Sequence, residues 1–191
     1  LFACMLGGFF GFFRKSTLAP AGLACLADPE LHLRRGDITV DPDRYCLVVR
    51  IPKSKTNPYK ERVDRVYIAG RRGCTLDPVG AYHNMVTCSP APNHAPAFGF
   101  TQAGRYQPIT HAYFVKQTKL YAAAIGLDPA EVSGHSYRRG GATYAFTAGV
   151  PDSLIQAQGL WASLCYRGYI DMPIDTRLAV SRMMLARITP S

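Results

Sequence analysis

Arg14, Lys55, His135, Arg138, Trp161 and Tyr169, in chain order, are the side chains whose types could act together on a phosphate. Guanidinium, ammonium, imidazole and indole groups donate hydrogen bonds or positive charge, and a phenol supplies one hydroxyl nucleophile. That set is suited to phosphoryl transfer without a metal. Two of its members, His135 and Arg138, lie three residues apart in VSGHSYRRGGATYAFTAG, residues 132 to 149, at the head of a Gly/Ala-rich segment that looks helical. Other chemistries lack their residues. There is no GxxxxGK[ST] loop for nucleotide hydrolysis, and the acidic residues are dispersed rather than clustered as a two-metal nuclease requires.

Each residue also has an ordinary explanation when taken singly. Arg14 could end a buried helix, where a cation complements the dipole. Lys55 could be a solvated hairpin lysine, and His135, following Ser133 and Gly134, a residue at a helix start. Trp161 is the only tryptophan, a residue type usually found in cores. Tyr169 is one of eleven tyrosines. Only the combination carries meaning.

The composition narrows the partners. The chain has 191 residues, enough for one large domain with a real core. Its 22 Lys and Arg against 13 Asp and Glu give a net charge of +9, which favours a polyanion such as nucleic acid or an anionic surface. The opening LFACMLGGFFGFFRK is apolar first and basic afterwards, the reverse of a signal peptide. It is shorter than the roughly 20 residues that span a bilayer. A buried helix is expected there, in a fragment of a longer protein. No CxxC occurs among Cys4, Cys25, Cys46, Cys74, Cys88 and Cys165, and several lie in apolar stretches as reduced thiols would. Cys74, His83, Cys88 and His94 are the one metal-like cluster, but their spacings match no common zinc module. Neither metal nor cofactor is called for, and the location expected is intracellular and reducing.

The elements that must position the six residues follow from periodicity and turn signals. Residues 1 to 27 read as helix, with interruptions allowed at Gly7/Gly8 and at Pro20. DITVD, CLVVRIP and ERVDRVYIAG predict a small antiparallel sheet over about residues 37 to 69, with Lys53, Lys55 and Lys60 at or near the tip of its second hairpin. Helices are expected over about 77 to 88, from Thr110 to a glycine stop at Gly126, and from Tyr137 to Ala148. Three more are expected: a short one from Asp152, one around Leu164 to Ile170, and a last one from Thr176 to Ile188. The fold class is α+β, mostly helical, with one small antiparallel sheet near the N-terminal part.

With these elements in order, "GFFGFFRKSTLA", "SKTN", "SGHSYRRGGATYAFTAGVPDSLIQAQGLWAS" and "YRGYI" resemble the boxes of the tyrosine recombinase (phage integrase) catalytic domain, in a flavour found in some mobile elements. The resemblance implies the tyrosine recombinase catalytic-domain fold over residues 1 to 191, with an upstream DNA-binding domain missing. It implies that Arg14 and Arg138 grip the scissile phosphate and that Tyr169 attacks phosphorus. His135 would act as acid or base, Lys55 would protonate the leaving 5′ oxygen, and Trp161 would donate its indole N–H or pack behind the tyrosine helix. In this flavour the nucleophile lies eight residues after the tryptophan and precedes isoleucine, which selects Tyr169 over Tyr166. The order of the SKT tripeptide selects Lys55 over Lys53. Arg139 is expected to point elsewhere, toward DNA backbone or a carboxylate.

The implied partners are duplex DNA and three further copies of the protein, forming a tetramer on paired sites in the nucleus or a bacterial cytoplasm; no membrane is implied. Residues 174 to 191 are either a terminal helix folded on its own core or a helix docked on a neighbouring protomer. One position departs from the family: Thr17 stands where a glutamate usually follows the first arginine by three residues. Two other classes use the same residues. A type IB topoisomerase would relax DNA with similar groups, and an inactive relative would serve as a DNA-binding module.

Overall fold

A computed structural model describes residues 1–23, 32–51, 63–161 and 174–188. Lys53, Lys55, Lys60, Tyr166, Tyr169 and the helix expected around Leu164 to Ile170 lie outside the described residues.

The centre of the molecule is α1 (Phe2–Phe10), a helix apolar on every side and therefore buried on nearly all of them. Ala3, Cys4, Leu6 and Phe10 are all in the core. Burial pushes the Cys4 thiol up to about 12. Around α1 pack α3 (Pro78–Cys88), α5 (Ser136–Thr147) and α7 (Ile174–Ala186). The remaining helices are α2 (Lys15–Leu18), α4 (His111–Ala124) and α6 (Asp152–Gln158). Their starts follow local chemistry. Asp77 accepts a hydrogen bond from Val79 N with Pro78 in the first turn of α3, and Thr110 accepts one from Tyr113 N at the head of α4.

One expectation for the first helix needs correction. Gly7 and Gly8 do not interrupt it; the chain leaves the helix after Phe10 and starts α2 only at Lys15. The glycine pair is a packing device. A Cβ on Gly8 would come within 3.1 Å of both Leu18 and Tyr137, so its absence lets α1 approach α2 and α5 closely.

Strands β1 (Ile38–Asp41), β2 (Cys46–Ile51) and β3 (Asp64–Ala69) form the expected antiparallel sheet in the order β1-β2-β3. Ile38 pairs with Val49, and Val48 with Tyr67. Among the described residues β3 pairs with β2 alone, so every second residue turns backbone groups outward, and side chains from the helices meet them. Arg177 donates to Arg65 O at 3.0 Å, Gln158 to Tyr67 O at 2.9 Å, and Ala69 N donates to Ser181 Oγ at 2.7 Å. Two of these three partners belong to α7. Its Leu178, Val180, Met184 and Leu185 are buried against the sheet and the other helices.

A second hairpin joins β4 (Gly99–Gln102) to β5 (Arg105–Pro108) through Ala103 and Gly104, both at positive φ. The general class is thus α+β with small antiparallel sheets.

Candidate active site

Three separated segments converge on one guanidinium. Arg138, on the first turn of α5, is 8% exposed. Its Nη1 donates to the Phe12 carbonyl, and its Nη2 donates to the Gly159 carbonyl at 2.8 Å. Its guanidinium carbon lies 4.3 Å from the centre of the Trp161 ring, a cation–π stack. Trp161 in turn faces the Phe12 ring, with centroids 5.7 Å apart. The turn after α1, the head of α5 and the segment after α6 are thereby joined by a single side chain.

Both gripped carbonyls lie at unusual backbone. Phe12 has φ 52° and Leu160, next to Gly159, has φ 50°. Left-handed conformations cost non-glycine residues energy and persist where the surroundings hold them. Arg138 is the obvious holder, since it satisfies the carbonyl on or beside each.

The Phe12 turn delivers Arg14. That residue is half-buried, has an extended backbone and immediately precedes α2. The positive charge of Arg14 acts on Arg138: burial first, and Arg14 second, lower the Arg138 guanidinium to about 10. The charges at ion-pair distance among the described residues are Arg44 with Asp41, Arg50 with Asp37 and Arg182 with Asp175, so no described carboxylate neutralises the two arginines. Two cations within electrostatic reach of one another, with no described carboxylate paired to either, are arranged to receive an anion.

His135 stands at the head of α5. It occupies the N-cap position, yet its ring makes no capping hydrogen bond. The neighbouring serines bond to the chain that enters the helix: Ser136 Oγ accepts from Ser133 N at 2.9 Å, and Ser133 Oγ accepts from His135 N at 3.2 Å. The imidazole is therefore exposed and chemically available. Lys15, next to Arg14, lies against this turn, because a Cβ on Gly134 would fall 2.5 Å from Lys15 Cδ. Thr17 is bound through its backbone, its carbonyl accepting from Leu33 N at 2.8 Å.

Of the six residues singled out by sequence, the structure brings Arg138 and Trp161 into contact and puts Arg14 near enough for its charge to act on Arg138, with His135 at the head of the same helix. Lys55 and Tyr169 lie outside the described residues, as do their rivals Lys53 and Tyr166. Arg139 is exposed. Two neighbours escaped sequence reasoning. Lys15 carried a signal, its adjacency to Arg14, whereas Gln158 carried none. Among the described residues, no three His, Cys, Asp or Glu side chains are gathered as metal ligands, and no helix is long and apolar enough to cross a membrane. Compared with family models and with curated proteins, the chain returns no match.

Proposed function

We propose that this chain is the catalytic domain of a tyrosine recombinase, a DNA strand-exchange enzyme that cuts and rejoins duplex DNA through a 3′-phosphotyrosyl intermediate. The observation that carries this reading is the convergence of the Phe12 turn, Gly159 and Trp161 on the Arg138 guanidinium, within electrostatic reach of Arg14, with an exposed His135 at the head of the same helix and no described carboxylate opposing the two cations. In this reading Arg14 and the N–H groups of Arg138 that are not spent on the two carbonyls meet the non-bridging oxygens of the scissile phosphate. Guanidinium forks match that geometry and stay charged at working pH. Charge that grows on those oxygens in the transition state finds donors already in place.

The Tyr169 hydroxyl then attacks phosphorus. Its proton leaves to His135 or bulk water, the bond to the 5′ oxygen breaks, and Lys55 protonates that oxygen. One P–O bond replaces another, so resealing needs no ATP. Reversal by a different 5′ hydroxyl exchanges strands.

The test offers the chain a nicked duplex and looks for a covalent protein–DNA adduct on a denaturing gel. An adduct that is absent from Tyr169→Phe supports the reading, and one lost in Tyr166→Phe instead moves the nucleophile. Relaxation of supercoiled plasmid by the monomer, without paired sites, would point to a type IB topoisomerase. DNA binding without any adduct would point to an inactive relative.

Affinity for duplex DNA should fall steeply with added salt, because cation–phosphate contacts release condensed counterions. With six phosphate contacts, a loss of about 10³-fold is expected between 50 and 200 mM salt. A salt-independent affinity, measured by fluorescence anisotropy, would remove DNA as the partner of the basic surface.

A further inference from the structure

We infer that Gln158 is a positioning residue that aims Arg14, an inference that rests on the phosphate-binding reading above. Gln158 is 4% exposed at the C-terminal end of α6. Its Nε2 donates twice, to Phe10 O at 3.1 Å and to Tyr67 O at 2.9 Å. Both acceptors are carbonyls, so only the amide nitrogen can face them, and the orientation of the side chain is fixed by chemistry.

The two carbonyls belong to the elements that lead to the site. Phe10 ends α1, and its carbonyl is one of those a helix terminus leaves without an internal partner. Four residues later comes Arg14. Tyr67 lies on the outer edge of β3, and the segment connecting β2 to β3 in sequence contains Lys55. Gln158 therefore ties the end of α1 to the sheet, and the next residue, Gly159, is the one whose carbonyl Arg138 holds. Phe10 and Phe12 lie on one short stretch of chain that is gripped at two carbonyls, Phe10's by Gln158 and Phe12's by Arg138. The left-handed Phe12 turn between α1 and Arg14 is held at both sides, which sets where the Arg14 guanidinium starts.

A double-mutant cycle between Gln158→Met and Arg14→Ala, read by duplex DNA affinity at low salt and by single-turnover adduct formation on a nicked duplex, tests this. Methionine keeps the volume and removes the donors. Gln158→Met is expected to weaken DNA binding about threefold and to slow adduct formation about 20-fold. In the Arg14→Ala background its further effect on affinity should be less than 1.5-fold, because the residue it aims is gone. Equal losses in both backgrounds would overturn the inference, since a general structural role is additive. If the Arg14-intact protein forms no adduct, the recombinase reading fails, and the affinity cycle alone then decides whether Gln158 acts through Arg14. Should Gln158→Met not fold, Gln158→Asn, whose shorter amide cannot reach both carbonyls, runs the same cycle.

Discussion

Arg138→Met should lose both stability and activity, and Arg138→Lys should separate the two. In the wild-type chain the buried fork satisfies the Phe12 and Gly159 carbonyls and stacks on Trp161. Methionine fills part of the space but leaves two buried acceptors without donors, at about 1–3 kcal/mol each. Relief of the repulsion from Arg14 offsets a fraction of this, so a net loss of about 3 kcal/mol is expected in urea denaturation at 25 °C. Lysine keeps the charge, but its compact ammonium cannot bridge both carbonyls and still present donors outward. Arg138→Lys should therefore fold with a loss of about 1–2 kcal/mol, yet form adduct about 10²- to 10³-fold more slowly, the range seen when one preorganised donor is removed from a transition state. If Arg138→Lys forms adduct within threefold of wild type, fork geometry is not used in the reaction. If Arg138→Met is as stable as wild type, the two carbonyls do not depend on it.

The sequence already contained most of the helices and one of the two sheets, because their signals are local. Asp77-Pro78 opens α3, Thr110 opens α4, and the alternation of CLVVRIP against ERVDRVYIAG sets β2 against β3. The β4–β5 hairpin was not legible. Its four-residue strands include Gly99 and Pro108, and its turn is Ala-Gly rather than Asn-Gly, so neither pattern nor turn chemistry marks it. The Gly7/Gly8 pair misled for a related reason. Glycine lowers helix propensity by about 1 kcal/mol per residue, but here close packing against Leu18 and Tyr137 outweighs it.

In the site, the spacing of His135 and Arg138 was enough to place them at the head of one helix. It could not show that Arg138 turns inward onto backbone carbonyls contributed by residues 126 and 21 positions away. Gln158 was invisible for the same reason, since its role exists only through partners 148 and 91 residues distant. Residue type and spacing reveal groups that can face a substrate. They do not reveal the groups that hold those in place.

Two adjacent glycines in VSGHSYRRGGATYAFTAG, Gly140 and Gly141, should respond in opposite directions to the same change. A Cβ on Gly141 would lie 2.0 Å from the Phe9 carbonyl oxygen and 3.0 Å from the Phe12 ring, so nothing larger than hydrogen fits without moving α1. Backbone cannot swing aside as a flexible side chain can. The expected cost of Gly141→Ala is about 3 kcal/mol, at the upper end for overpacking, less what alanine returns in helix propensity. Because the displaced segment runs directly into the Phe12 turn, adduct formation should also fall by at least tenfold where the variant remains folded, since a misplacement of about 1 Å at a reacting group can cost about 10²-fold. Gly140 has nothing within 4 Å of its would-be Cβ and occupies an exposed helical position. There alanine removes backbone freedom from the unfolded chain without a clash, so Gly140→Ala should stabilise by about 0.5–1 kcal/mol with adduct formation unchanged. Thermal and urea denaturation of the two variants side by side check the pair. Equal, small effects at both positions would mean that α1 does not lie against α5 at Gly141, and the route by which the Phe12 turn reaches Arg138 would fall with it.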